Sequence, residues 1–179
     1  MNIDELLEEI RREPECKILP PNGQPILESP ADKVPEDLAR FYTLCGGVDL
    51  FMERDYGFRV VPPESLRPAS SIILPLHYKE RKSVFDSDIS SHWYLLFSSN
   101  GPEENIVIDL HPDRNGVCYD GYINTYASSD CFGVARSFSE VLCGIFAGKG
   151  EERTLYWEGC FDSERFYVYE SLDVEPPCG

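Results

Sequence analysis

Helical stripes and short strands joined by tight turns share this chain, and that combination predicts the α+β class. Three stretches carry the prediction. Residues 34–51, VPEDLARFYTLCGGVDLF, read as a helix stopped by two glycines and followed by an apolar run. Residues 93–119 read as three strands in an antiparallel meander. Residues 137–148, SFSEVLCGIFAG, read as a second strong helix.

In the first stretch, Pro35 suits the first helical position, where its missing N–H is not needed. Glu36 and Asp37 put negative charge at the positive end of the helix dipole. Leu38, Phe41, Tyr42 and Cys45 then recur at i, i+3, i+4 and i+7, one apolar face. Gly46 and Gly47 are expected to end the helix through the left-handed conformation. Val48, Leu50 and Phe51 continue as a run able to enter a sheet.

Ahead of it, Ile3, Leu6, Leu7 and Ile10 trace a helical stripe, with Asn2 as cap and Glu5 in reach of a capping box. Residues 17–33 contain four prolines and read as an extended connection draped over the core. Residues 57–61 read as a short strand ended by Pro62 and Pro63. Residues 64–70 suit one helical turn, 72–76 form a second apolar run, and 77–92 read as a polar loop. In that loop or beside it stand Arg67, Lys79, Arg81 and Lys82, the one local relief of a negative chain.

Residues 93–97, WYLLF, suit a buried strand, and Asn-Gly at 100–101 a turn. Ile106, Ile108 and Leu110 alternate with Val107 and Asp109, so one face is apolar and the other carries a single carboxylate. A second Asn-Gly turn leads to a strand at 117–119. Residues 122–134 read as irregular. Ser137 and Glu140 suit a capping box above the stripe Phe138, Val141, Leu142, Ile145 and Phe146. Residues 165–170, RFYVYE, alternate like an edge strand. The length of 179 residues suits one domain, expected at 1–150, with 151–179 as an acidic extension packed on or flanking it.

Acidic side chains number 32 against 16 basic ones, a net charge of −16. Such a field repels phosphate backbones and anionic lipid, and it speeds encounter with a basic protein. Solubility alone is an equally good account of the charge. Seven separated cysteines, an odd number, fit reduced thiols rather than a disulfide framework or a zinc site. The start of the chain lacks a basic and apolar leader, and no apolar run approaches membrane length, so a cytoplasmic location is expected.

Catalytic signals are sparse. Asp109, His111 and Asp113 form the one cluster with metal-ligand or hydrolytic content, but Pro112 and the turn interrupt the alternation that would align them. Carboxylate pairs such as Asp86 with Asp88 sit in polar surroundings, where a catalytic pKa shift is not supported. Phosphate-binding glycine loops and serine elbows are absent from the sequence. No cofactor and no metal are expected. Ten tyrosines suit a protein-binding face if some are exposed, and half-burial along the sheet is the plainer account.

In order along the chain, the segments VPEDLARFYTLCGGVDLF, VVPPESL, WYLLFSSNGPEENIVIDL and GVARSFSEVLCGIF resemble the SUKH superfamily over roughly residues 1–148. These are the cell-wall-assembly regulator-like domains, many of which serve as bacterial immunity proteins. The proline-rich 17–33, the long 78–92 and the tail after 148 depart from that pattern. The resemblance implies a mixed, mainly antiparallel sheet with helices packed on it, and no catalysis. It also implies a partner: a toxin domain, many of those bound by the family being basic nucleases. The expectation is therefore an immunity protein that binds a toxin directly, contacting neither nucleic acid nor membrane. Asp49, Glu53, Asp55, Tyr56, Asp109, Tyr119 and Asp120 are the expected contact residues, because they flank the glycine turn or fall on the polar side of the meander. A regulatory adaptor of the cell-wall-assembly type, or a small hydrolase using Asp109, His111 and Asp113, are the alternatives.

Overall fold

Strands pair in the order in which the chain makes them, because each connection is short enough, or folded enough, to return the chain beside its predecessor. The structure, a computed structural model, describes residues 2–101, 104–151 and 166–167. One sheet runs β1 (Cys16–Ile18), β2 (Val48–Leu50), β3 (Phe58–Val60), β4 (Trp93–Ser99), β5 (Asn105–Asp109), β6 (Cys118–Asp120), β7 (Phe132–Ala135) and β8 (Phe166–Tyr167). Every pairing is antiparallel. With helices α1 (Ile3–Arg12), α2 (Glu36–Leu44), α3 (Ser70–Ile73), α4 (Pro75–Ser87) and α5 (Phe138–Gly148), the fold is α+β.

On one face of the sheet, α1, α2 and α5 bury the stripes their spacing defines. Ile3, Leu6, Leu7 and Ile10 of α1 join Leu38, Phe41 and Tyr42 of α2 and Phe138, Val141 and Leu142 of α5 in a single apolar cluster. Val48, Val60, Phe97, Ile106, Ile108 and Cys118 meet them from the strands. Phe138 stands edge-on to Phe41, ring centroids 4.9 Å apart, an arrangement that pairs the positive edge of one ring with the negative face of the other. Tyr42 takes its hydroxyl into this core only because Oη donates to the Val61 carbonyl at 2.8 Å.

Capping chemistry agrees with the residues in detail, with two shifts. Asn2 and Glu5 form the reciprocal capping box of α1. Ser137 accepts from the Glu140 N–H, but the Glu140 carboxylate answers to the Arg136 N–H, one residue outside the expected box. Pro35 is the flanking residue of α2 rather than its first helical one, in extended conformation. The glycines after α2 also act differently from expectation. Cys45 closes the helix in extended backbone, and Gly46 is required because the strap at Leu19 and Pro20 crosses it: the Gly46 N–H donates to the Leu19 carbonyl at 3.0 Å, and a Cβ would collide with the Pro20 carbonyl.

Among the described residues, the opposite face is covered over β4, β5 and β6. Trp93, Val107 and Tyr119 rise from those strands, and Ala69, Ile73, Phe85, Tyr126 and Cys131 close over them. The Trp93 and Tyr119 rings stack 4.6 Å apart. Residues 77–92, expected as a polar loop, are instead most of α4 and a 3₁₀ turn over Ile89–His92. Sequence periodicity is weak there because only Phe85 is buried in α4. Pro75 at the start, good helix formers, and the burial of Phe85 against Tyr78 and the second cluster form the helix without an amphipathic stripe. The expected edge strand at 165–170 appears at Phe166–Tyr167, paired with β7; the rest of that stretch, Cys160 and Cys178 lie outside the described residues.

Candidate binding surface

Register places one polar row on the half of the second face that the second cluster does not reach. Lys17 pairs with Asp49, Asp49 with Arg59, Arg59 with Ser98, and Ser98 with Asn105, so their side chains share a side of the sheet. Asp49 holds Arg59 through both oxygens, at 2.5 and 2.9 Å, and that hydrogen-bonded carboxylate raises the Arg59 pKa.

The loop between β2 and β3 stands at one end of this row. Phe51 adopts φ 53°, and Gly57 must be glycine, since a Cβ would lie 2.5 Å from the Phe51 carbonyl oxygen. Arg54 fastens the loop to its surroundings: it pairs with Glu15 and Glu151 and donates to the Lys149 carbonyl at 2.9 Å. Hydrogen bonds to Glu15, then to Glu151, raise its pKa. Glu53 and Asp55 flank it in the chain, both exposed, and neither makes an ion pair or hydrogen bond among the described residues. Tyr56 is half-buried beside them. Of the expected contact residues, Asp49, Glu53, Asp55 and Tyr56 therefore sit together at one end of the sheet.

Asp109, Tyr119 and Asp120 do not join them. All three are buried. The Asp109 carboxylate accepts from Arg114 Nε at 2.7 Å, from the His111 N–H at 2.9 Å and from Trp93 Nε1 at 3.2 Å. Burial raises its pKa and the Arg114 hydrogen bond opposes the rise. Asp120 turns the chain, accepting from the Tyr122 N–H at 3.0 Å and the Thr125 hydroxyl at 2.7 Å. Alternation told correctly that Asp109 lies opposite the first core, but not that a second cluster covers that side.

The cluster Asp109, His111 and Asp113 does not converge on a reacting position. His111 Nδ1 accepts from the Asp113 N–H at 3.2 Å, while the Asp113 carboxylate stands in solvent. Among the described residues no group of three His, Cys, Asp or Glu is arranged to hold a metal ion. Four of the thiols are poor nucleophiles: burial pushes Cys16 and Cys45 up to about 11 and raises Cys118 and Cys131 as well.

One constellation had no sequence signal. Asp32, from the proline-rich strap, buries its carboxylate between His92 Nδ1 at 2.5 Å and the Tyr94 hydroxyl at 2.8 Å. Burial, then the Asp32 bond, raise the Tyr94 pKa. Sixty positions separate Asp32 from His92, so only the course of the strap brings them together. Among the described residues no helix is long and apolar enough to cross a membrane.

No family model matches the chain. No solved structure matches it. Over 158 residues, 88% of this chain and 89% of the relative, it is 29% identical to the immunity protein YokJ of Bacillus subtilis (strain 168).

Proposed function

We propose that this chain is an immunity protein, a binding protein that neutralises a toxin by covering its active surface. The observation that carries the reading is the similarity to an immunity protein along nearly the whole of both chains. The electrostatics support it. A net charge of −16, with Glu53 and Asp55 unneutralised on a braced loop, favours a partner of opposite sign and steers its approach. The partner in this reading is a basic toxin domain, and a nuclease fits that charge because it must itself attract phosphate. Asp49, Glu53, Asp55 and Tyr56 form the contact patch, on a SUKH-like domain of residues 1–150 acting in the cytoplasm. Blocking needs no turnover, so no catalytic group is assigned.

The test is capture followed by rescue. The tagged chain is used to capture its partner from lysate of the native organism at low salt, and the captured protein is then expressed in a bacterial host. Growth arrest relieved by co-expression of this chain is the expected result. A captured protein that is harmless, or whose toxicity this chain leaves unchanged, overturns the proposal.

A further inference from the structure

Residues 19–33 cross the molecule as a strap, tied down where the Leu19 N–H donates to the Gly47 carbonyl at 2.9 Å and the Lys33 N–H to the Leu110 carbonyl at 2.8 Å. Two adjoining cavities open beside it, of about 400 and 470 Å³, and Glu28 borders both. The first is walled by Tyr78, Phe85, His92 and Tyr94, with Ser90 also in its lining.

Several polar groups around this first cavity are already engaged. His92 Nδ1 and the Tyr94 hydroxyl are held by Asp32. Lys82 Nζ binds Asp86 and the Tyr78 hydroxyl. The Ser70 hydroxyl is bonded to that of Tyr126 at 2.9 Å. Ser90 and Glu28 carry the argument. Ser90 is 1% exposed, and its Oγ has no hydrogen-bond partner. A buried hydroxyl without a partner is rare in folded proteins and asks for an explanation. Glu28, exposed on the rim, has a carboxylate in no ion pair or hydrogen bond among the described residues.

Both free groups accept hydrogen bonds, and the walls include aromatic rings. An incoming anion would meet the Glu28 and Asp86 carboxylates and find Lys82 already neutralised. A serine nucleophile is not assembled either, since no serine oxygen is hydrogen-bonded to His92 among the described residues. What suits the site is a cationic group with several donors in one plane.

We propose that this cavity is a socket for an arginine side chain of the protein partner, the guanidinium donating to Glu28 on the rim and to Ser90 Oγ within. Arginine fits better than lysine because its planar fork serves two acceptors at once and stacks on aromatic rings, whereas an ammonium is compact and strongly hydrated. That the arginine comes from a toxin rests on the reading above; the chemistry of the socket does not.

The test uses the full chain and a small probe. N-acetyl-arginine methylamide is titrated into the ¹⁵N-labelled protein, with N-acetyl-citrulline methylamide as the uncharged analogue of the same shape. Saturable shifts at the amides of Glu28, Ser29, Ser90 and His92 are expected, with citrulline at least tenfold weaker. Glu28→Gln and Ser90→Ala should each weaken the probe several-fold. Ser90→Ala should leave the unfolding midpoint unchanged or higher, since the lost hydroxyl bonds nothing. Shifts that do not saturate, that map elsewhere, or that citrulline reproduces overturn the socket. A toxin partner captured and neutralised while the probe fails would remove the socket and leave the immunity reading standing; a probe that binds where no toxin is found would do the reverse.

Discussion

Between α1, α2 and α5 and the strands beneath them, almost every buried side chain is apolar, and the cluster runs from β1 to β7. On the opposite face, the second cluster is smaller, richer in aromatics, and built around the buried carboxylate of Asp109. Among the described residues it stops at β4, with Lys17 and Arg59 exposed and Asp49 half-buried beside the Glu53–Asp55 loop. The first face spends its surface on stability. The second is divided: one half is packed, and the other presents a polar row among the described residues.

The strongest way to break this contrast is to empty each cluster in turn. Phe138→Ala, in the larger core, should cost about 3–5 kcal/mol of unfolding free energy by urea titration. A loss below 1 kcal/mol would mean that α5 does not pack on Phe41 as described. Trp93→Phe keeps the ring contact in the second cluster but removes the donor to Asp109. It should cost about 1–3 kcal/mol, the range for a hydrogen bond to a charged group plus its unmet desolvation.

A finer contrast comes from pH. Asp109 has its pKa raised by burial, so the folded state holds its proton more tightly than the unfolded chain does. Its stabilising share is complete below the ordinary carboxylate value of 3.8 and is lost as pH rises through the folded value. Asp109→Asn does not titrate. The stability difference between parent and Asp109→Asn should therefore move in favour of the variant as pH rises across that window, measured by urea unfolding at a series of pH values. A difference that is flat with pH would show that Arg114 fully offsets burial.

How far the sequence could be read follows the same division. The first face was legible because its helices carry stripes: Leu38, Phe41 and Tyr42, or Ile3, Leu6, Leu7 and Ile10, announce their burial by spacing alone. The meander was legible from alternation and from Asn-Gly turns. The second cluster was not, because α4 contributes little more than Phe85 and Tyr78, and most of its other positions, Leu76 and Val84 among them, are exposed. Without that helix in view, Asp109 and Tyr119 look like the solvent side of a sheet. Asp32 and His92 meet only through a strap whose path no local rule dictates. Gly46 was noticed for the right reason, its lack of a Cβ, but the demand comes from a crossing segment rather than from the helix end.

The open half of the second face is where the functional proposal is most exposed to test. Glu53→Lys with Asp55→Lys reverses the charge of two exposed side chains that make no hydrogen bond or ion pair among the described residues, so the unfolding free energy should stay within about 0.5 kcal/mol of the parent. The decisive measurement is the Kd for the captured toxin domain, by calorimetry, for the parent and this double variant across a series of salt concentrations. If the acidic loop guides and holds a basic toxin, the parent's affinity falls as salt rises, and the variant binds at least tenfold more weakly with a flatter salt dependence. A Kd indifferent to salt and to both substitutions would contradict it.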